Sequence, residues 1–300
     1  MKYKILLEAS GSLTSGYLIK SVQDAGALAV ASDISECAGQ YLADDFIKLP
    51  VHSDPEAWKV IENEMISRGI NVVIPSFDET LLDWSRKKKY FLEKGIHVVL
   101  SDSATIEICQ DKWLTYLFFE KANIPTPKTS LEKKYSVVKP RLGRGGKGVF
   151  INAKEMEIEM GGNVSQEFLM GQEYTIDVFC DYSHFPVYII PRKRISVKDG
   201  KSINGITVDH TVIINWVKKI CKELPFAGPL NMQCFEDSEG GIKFTEINPR
   251  VAGGMALGFA ASENWISLIM KNILEKESIE TKKIVFGLKM LRYYDELFVS

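Results

Sequence analysis

Residues 1–100 alternate short apolar segments with amphipathic ones, and that order leaves few folds open. Tyr3–Glu8, Leu28–Ala31, Phe46–Leu49, Asn71–Ile74 and His97–Leu100 have the length and composition of buried strands. Tyr17–Ala25, with Leu18, Ile19, Val22 and Ala25 at helical spacing, Glu56–Ser67 and Thr80–Glu93 read as the helices between them. Strands separated by helices pair in parallel, because each crossover returns the chain to the same end of the sheet. The expectation is therefore a Rossmann-like parallel sheet with covering helices. Glu8-Ala-Ser-Gly-Ser-Leu-Thr-Ser-Gly16 joins the first strand to the first helix. It is not G-x-G-x-x-G, and no Lys-Ser/Thr follows Gly16. A tight turn beside a ligand cleft fits it better than a dinucleotide site or a P-loop.

Helical pattern resumes at Ala104–Cys109 and Lys112–Ala122 until Ile124-Pro-Thr-Pro127 breaks it. From about Pro127 to Phe168 the chain reads as a small α+β flap. Its parts are a strand (Ser136–Lys139), a glycine loop, a strand (Gly148–Asn152), a short helix (Lys154–Glu159) and a strand (Val164–Phe168). Strands follow at Glu173–Asp181 and Val187–Pro191, then a helix at Val212–Leu224. Leu230–Glu236 and Ile242–Asn248 read as paired strands, and Trp265–Leu274 as a late helix. The chain is thus α/β and then α+β, divided into residues 1–102 and 103–300. The Arg86–Lys89 run reads as a solvated helix face.

Of the 300 residues, 45% are hydrophobic and 25% charged, ordinary for a globular chain, and the formal net charge of -2 gives no global pull toward nucleic acid or anionic membrane. Any phosphate site must be a local cationic cluster. The five cysteines include no C-x-x-C pair, so neither zinc nor a disulfide framework is expected, and a reducing cytoplasm fits. The apolar run after Met1 is too short for a signal-peptide core, and nothing approaches the ~20 apolar residues of a membrane span.

Three segments carry chemistry. In Val138-Lys-Pro-Arg-Leu-Gly-Arg-Gly-Gly-Lys-Gly-Val149, a strand delivers Lys139 into a loop with Gly143, Gly145, Gly146 and Gly148. Glycines let backbone amides approach a polyanion, and Arg141, Arg144 and Lys147 add charge. On these residues alone a flexible basic hairpin is an equal reading. Gln166-Glu-Phe-Leu-Met-Gly-Gln-Glu173 could offer an adenine edge at Glu167, Phe168 and Leu169, with Glu173 within reach of a ribose. In Phe244-Thr-Glu-Ile-Asn-Pro-Arg250, Glu246 and Asn248 are two apart and share one strand face, with Thr245 and Ile247 on the other. Gln233 in the preceding strand can join them. One carboxylate and two amide oxygens make a poor calcium cage but a good Mg2+ half-shell completed by phosphates and water.

In their order, these elements resemble the ATP-grasp superfamily. The Asn-Met-Gln…Glu-Ile-Asn-Pro-Arg block is similar to the synthetase units of the carbamoyl phosphate synthetase large subunit, and more distantly to biotin carboxylase and D-alanine–D-alanine ligase. The resemblance covers nearly the whole chain and implies a pre-ATP-grasp domain followed by a two-part ATP clamp. It implies that Lys139 contacts the α-phosphate and adenine side, that Gly143–Gly148 cover the phosphates, and that Glu167 and Leu169 form the adenine hinge, with Glu173 on the ribose. It assigns Mg2+, in two ions bridged by Glu246 and with Mn2+ as a substitute, to Gln233, Glu246 and Asn248. Arg250 would steady the γ-phosphate or acyl phosphate, and Lys112 matches a basic position that opens the clamp. Arg192 and Arg194 lie where such ligases place substrate or phosphate contacts. His210 could face the nucleotide or be structural, and Ser10, Ser76 and Glu79 are candidates for the substrate side. The implied activity is ATP-dependent carboxylate–amine ligation through an acyl phosphate, with carboxylase, kinase and non-catalytic nucleotide binder as alternatives. Small-molecule acid and amine are the implied partners, and a homodimer is compatible. No glutaminase-type Cys-His pair and no second synthetase unit is visible, which argues against carbamoyl phosphate synthesis itself.

Overall fold

In the computed structural model, which describes residues 2–12, 14–153, 156–198, 201–293 and 295–299, the alternation resolves into β1 (Lys4–Leu7), α1 (Ser15–Asp24), β2 (Leu28–Asp33), α2 (Gly39–Leu42), β3 (Asp45–Lys48), α3 (Ala57–Ser67), β4 (Val72–Ile74), α4 (Leu81–Glu93) and β5 (His97–Val98). The strands form the expected parallel sheet, in the order β3-β2-β1-β4-β5. Successive side chains take opposite faces, so each strand feeds two cores. Leu6, Val30 and Val73 pack with Trp84, Met65 and Phe91 on one side. Ile5, Leu7, Ala29, Val72 and Ile74 pack on the other, against α1 and a later part of the chain. The four-residue α2 has no periodicity to read.

Helices α5 (Ser103–Gln110) and α6 (Lys112–Lys121) follow. Asp111 caps α6, its carboxylate accepting from the amides of Trp113 at 2.8 Å and Leu114 at 3.4 Å, a cap that contributes about 1 kcal/mol. The flap is an antiparallel sheet of β6 (Thr129–Ser130), β7 (Val137–Pro140) and β8 (Asn163–Gln166), in the order β6-β8-β7. Two expectations fail there. Gly148–Asn152 is not a strand; only Phe150 bridges back to Val138. Gly145, Gly146, Gly148 and Asn152 all have positive φ, which the chain cannot combine with extension. Of the expected helix at Lys154–Glu159, the first two residues lie outside the described residues and Met156–Glu159 is not helical.

The large sheet contains β9 (Gln172–Cys180), β10 (Pro186–Lys198), β11 (Lys201–Thr207), β12 (Gly228–Glu236), β13 (Ile242–Asn248) and β14 (Lys289–Leu291), antiparallel throughout in the order β13-β12-β9-β10-β11-β14. One face packs on α7 (Thr211–Glu223) through Ile176, Val178, Met232, Ile213 and Val217. At one end of the other face, Phe179, Tyr188 and Ile190 join α8 (Ala256–Ala261), α9 (Trp265–Leu268) and the parallel sheet in one apolar cluster. The expected helix Trp265–Leu274 is α-helical only to Leu268 and continues as a π-helix over Ile269–Leu274.

Candidate functional site

Beyond that apolar cluster, the same face of the large sheet turns polar. Register places Glu246 opposite Gln233, Gln233 opposite Thr175, and Thr175 opposite Arg192. Asn248, Asn231 and Asp177 form the next row. Neighbouring strands lie roughly 4.8 Å apart, so these rows tile a floor. Thr245 belongs to it as well, which corrects its assignment to the opposite face. The register jumps between Gln233/Glu246 and Cys234/Phe244, leaving Thr245 as the extra residue of a β-bulge. Thr245 and Glu246 both line the cleft, while Phe244 and Ile247 are buried beneath.

The cleft encloses about 970 Å³ between this floor, the flap and the carboxyl ends of β1 and β4. It is lined by Lys112, Lys139, Gly143, Arg144, Gly145, Gly146, Lys147, Glu167, Phe168, Leu169, Glu173, Arg192, Arg194, Gln233, Glu246, Asn248 and Arg250. Of the residues to which the resemblance gives nucleotide, metal or phosphate roles only Gly148 is left out; it folds over Pro140, whose ring a Cβ at this position would meet at 3.0 Å. Ser76 lines the cleft, whereas Ser10 is buried under β2 and Glu79 pairs with Arg144 at 3.4 Å. His210 caps α7, bonds Glu236 at 3.2 Å and stands edge-on to Tyr174, a structural place outside the cleft lining.

Lys139 reaches down from β7, its Nζ donating to Gln166 Oε1 at 2.8 Å. Burial pushes its ammonium down to about 8, and the charge of Glu246 only partly opposes this. A cation held there without a paired carboxylate is suited to receive an anion. The glycine loop is tied by charge: Lys112 Nζ donates to the Gly143 carbonyl at 2.9 Å, and Arg141 forks onto Asp111. Arg144 lies over the Phe77 ring at 4.5 Å, near Asp78 and Glu79.

Three residues given roles from sequence meet partners already in place. Glu173 accepts from Arg194, and Glu167 takes Lys243 at 3.0 Å. Arg250 forks onto both carboxylate oxygens of Asp78 at 2.7 Å. Burial works against its charge, and Asp78 outweighs that, holding the guanidinium above its ordinary value. The turn that carries Asp78 is itself held by Glu8, whose enclosed carboxylate accepts from Trp84 Nε1, the Thr80 hydroxyl and the amides of Ser76 and Phe77. Burial raises the Glu8 carboxyl despite these bonds. Sequence reasoning missed Asp78, although it lies just beyond β4 at the sheet edge where open α/β folds bind ligands. It also missed Thr175, Asp177 and Asn231, two-residue repeats from Glu173 and Gln233 that only register brings into the floor. In the Gly11–Gly16 turn, the Gly11 amide donates to Asp33 Oδ2 at 2.8 Å. The acid at the end of β2 is thereby committed to the turn.

The donor set fits Mg2+. Gln233 and Glu246 stand in register, and among the described residues their side chains form no hydrogen bond or ion pair, so their oxygens are uncommitted. Asn248 offers Oδ1, touched by Arg250 at 3.4 Å. Among the described residues no three His, Cys, Asp or Glu side chains gather as a metal cluster, so an ion held by this set would need oxygen ligands from outside the protein to complete its shell. No described helix is long and apolar enough to cross a membrane.

Residues 109–254 match the ATP-grasp domain family. In sequence the chain is similar to the carbamoyl phosphate synthase large chain of Methanobrevibacter smithii, 25% identical over 68% of this chain and 22% of that one, so it spans under a quarter of that relative's length. Among solved structures it resembles the biotin carboxylase domain of the Hydrogenobacter thermophilus 2-oxoglutarate carboxylase, in complex with MgADP, ADP and bicarbonate (TM-score 0.74, 17% identity, 95% of this chain and 73% of that). It also resembles the Staphylococcus aureus N5-carboxyaminoimidazole synthetase with ADP (0.72, 20%, 93% and 79%) and an L-amino acid ligase from Bacillus licheniformis (0.73, 18%, 92% and 76%). At these identities the likeness is one of fold.

Proposed function

The chain carries an ATP-grasp domain over residues 109–254, and from that premise we propose that it is an ATP- and Mg2+-dependent ligase that joins a small-molecule carboxylate to an amine. The observation that carries this reading is the uncommitted Gln233–Glu246–Asn248 set beside Arg250, on a floor faced by Lys139 and the glycine loop. Lys139 and the loop amides would hold the nucleotide phosphates, and Phe168 and Leu169 the adenine edge. Bound at Gln233, Glu246 and Asn248, Mg2+ would supply charge neutralisation between phosphate oxygens.

The acid's carboxylate oxygen then attacks the γ-phosphorus, the bond to ADP breaks, and an acyl phosphate forms. Placement and charge do most of the work in such a transfer. Arg250 would exchange Asp78 for the transferred phosphoryl group. The amine nitrogen attacks the acyl carbon, inorganic phosphate leaves with the electron pair, and the amine proton passes to phosphate or water. The test is a metabolite screen for acid-dependent ADP release, with hydroxylamine in place of the amine. A hydroxamate is the expected product. ADP release with phosphate on a hydroxyl and no hydroxamate would replace this reading with a kinase, and ATP binding without any ADP release would replace it with a regulator.

A further inference from the structure

Arg192 is almost wholly enclosed, at 2% exposure. Its Nε donates to Asp177 Oδ2 at 2.8 Å and its Nη2 to Oδ1 at 3.2 Å, and Asn231 Nδ2 takes Oδ1 at 2.8 Å. Among the described residues the third nitrogen, Nη1, has no hydrogen-bond partner. A guanidinium donor buried and unmade is costly, and folds rarely keep one without a use. Asp177 alone would hold the charge, and Arg192 is among the residues that line the cleft.

The turn beside the guanidinium has no room for a side chain. A Cβ on Gly254 would come within 2.5 Å of Nη2 and 2.7 Å of Nη1, so glycine is required for the guanidinium to lie against the turn. On the other side of that turn a Cβ on Gly253 would meet Thr14 Cγ2 at 2.9 Å. Thr14 stands at the N-terminus of the ten-residue helix α1. It makes no side-chain cap, and the first turn of α1 holds no acidic residue. Arg292 reaches the Gly253 carbonyl. A helix N-terminus and an unmade guanidinium donor therefore flank one two-glycine turn, on the wall of the same cleft.

Resting on the ligase reading, we propose that Arg192 Nη1, together with the first turn of α1, binds a second anionic group of the acid substrate. Arg192 stands two strands from Gln233, roughly 10 Å of backbone separation. The substrate class is a compact acid whose second oxyanion, carboxylate or phosphoryl, sits a few bonds from the carboxylate that is activated near Glu246.

Calorimetric titration of the whole protein, loaded with Mg2+ and a non-hydrolysable ATP analogue, tests this. The probes are malonate, succinate and glutarate, phosphonoacetate and 3-phosphonopropionate, each against the monoacid of equal length. At least one dianion is expected to bind about tenfold or more tighter than its monoacid, and the better series tells carboxylate from phosphoryl. Arg192→Lys, which leaves Asp177 a cation, and Gly254→Ala, which pushes the guanidinium aside without removing it, should each erase the preference. Matched acids binding alike, neither binding included, or a preference that survives both variants, would overturn the proposal. ADP release is read separately. Turnover without dianion preference defeats this subsite and leaves the ligase standing; dianion preference without turnover does the reverse.

Discussion

The floor and the flap of the cleft are held by different forces. In the floor, Ile176, Val178, Met232 and Ile247 are at most 1% exposed and anchor β9, β12 and β13 from below. In the flap, Leu142 and Ile151 are 65% and 55% exposed, and the glycine loop is restrained by Arg141, Arg144 and Lys112. Apolar burial is insensitive to salt and hard to undo locally, whereas half-exposed ion pairs are worth ~1 kcal/mol or less and are screened. The protein thus sets the polar groups of the floor on a buried sheet, and the glycine loop on a hairpin held by charge.

The sharpest way to break this division is at the floor. Glu246→Gln removes the only carboxylate of the donor set without touching the core beneath. Acid-dependent ADP release should fall by about 10²–10³-fold while the thermal melt stays put. Turnover with an unchanged Mg2+ requirement would remove Glu246 from the metal.

Next in size is the junction at Arg250. Asp78→Asn leaves a nearly buried guanidinium without its counter-charge and should cost about 2–3 kcal/mol, visible as a lower melting temperature. Because an anion can replace Asp78, an ATP analogue with Mg2+ should raise the variant's melting temperature more than the wild type's. Equal shifts would mean that Arg250 does not meet the nucleotide.

Lys139 gives a pH signature. In the proposed role its ammonium meets phosphate, so nucleotide affinity should be full below about pH 8 and decline as pH rises through that value, by up to about tenfold per unit. The fold responds with the opposite sign. Between about 8 and 10.5 the unfolded chain keeps a proton that the folded site has lost, so the ligand-free protein gains stability with rising pH. Lys139→Met should flatten both profiles; a nucleotide profile that keeps its slope in the variant would assign the titration elsewhere.

The smallest effect is in the flap. Hydrogen exchange at Gly143–Gly148 should quicken about two- to threefold between low and high salt and slow when ATP analogue and Mg2+ bind, with no salt response at Ile176 or Met232. A floor that responds like the flap would erase the contrast.

Most of the parallel sheet could be read from sequence because each strand is short, apolar and set off by a helix. The bulge was harder. Strict alternation puts Thr245 with Ile247, yet the apolar residues Ile242, Phe244 and Ile247 are spaced two and then three apart, and that extra step marks the inserted residue. Asp177 and Asn231 look like ordinary polar strand residues until register buries them together. Strands β11 and β14 pair across more than 80 residues, and the exposed Lys289 and Leu291 carry no alternation to signal it. In the flap, glycines chosen for reach also break the extension that the strand reading assumed.

The apolar cluster shared by the two sheets bears on how this chain could be cut and recombined. Ile5, Leu7 and Ile74 from the first sheet, Phe179 and Tyr188 from the second, and Phe259 and Trp265 from the helices between them form one continuous interior. Separating the chain near residue 102 would strand half of that interior in water on each fragment. Neither half is therefore a portable module. A graft of the nucleotide clamp onto another N-terminal sheet would have to bring the apolar faces of α8 and α9 with a matching surface, or the two parts would aggregate before they could meet.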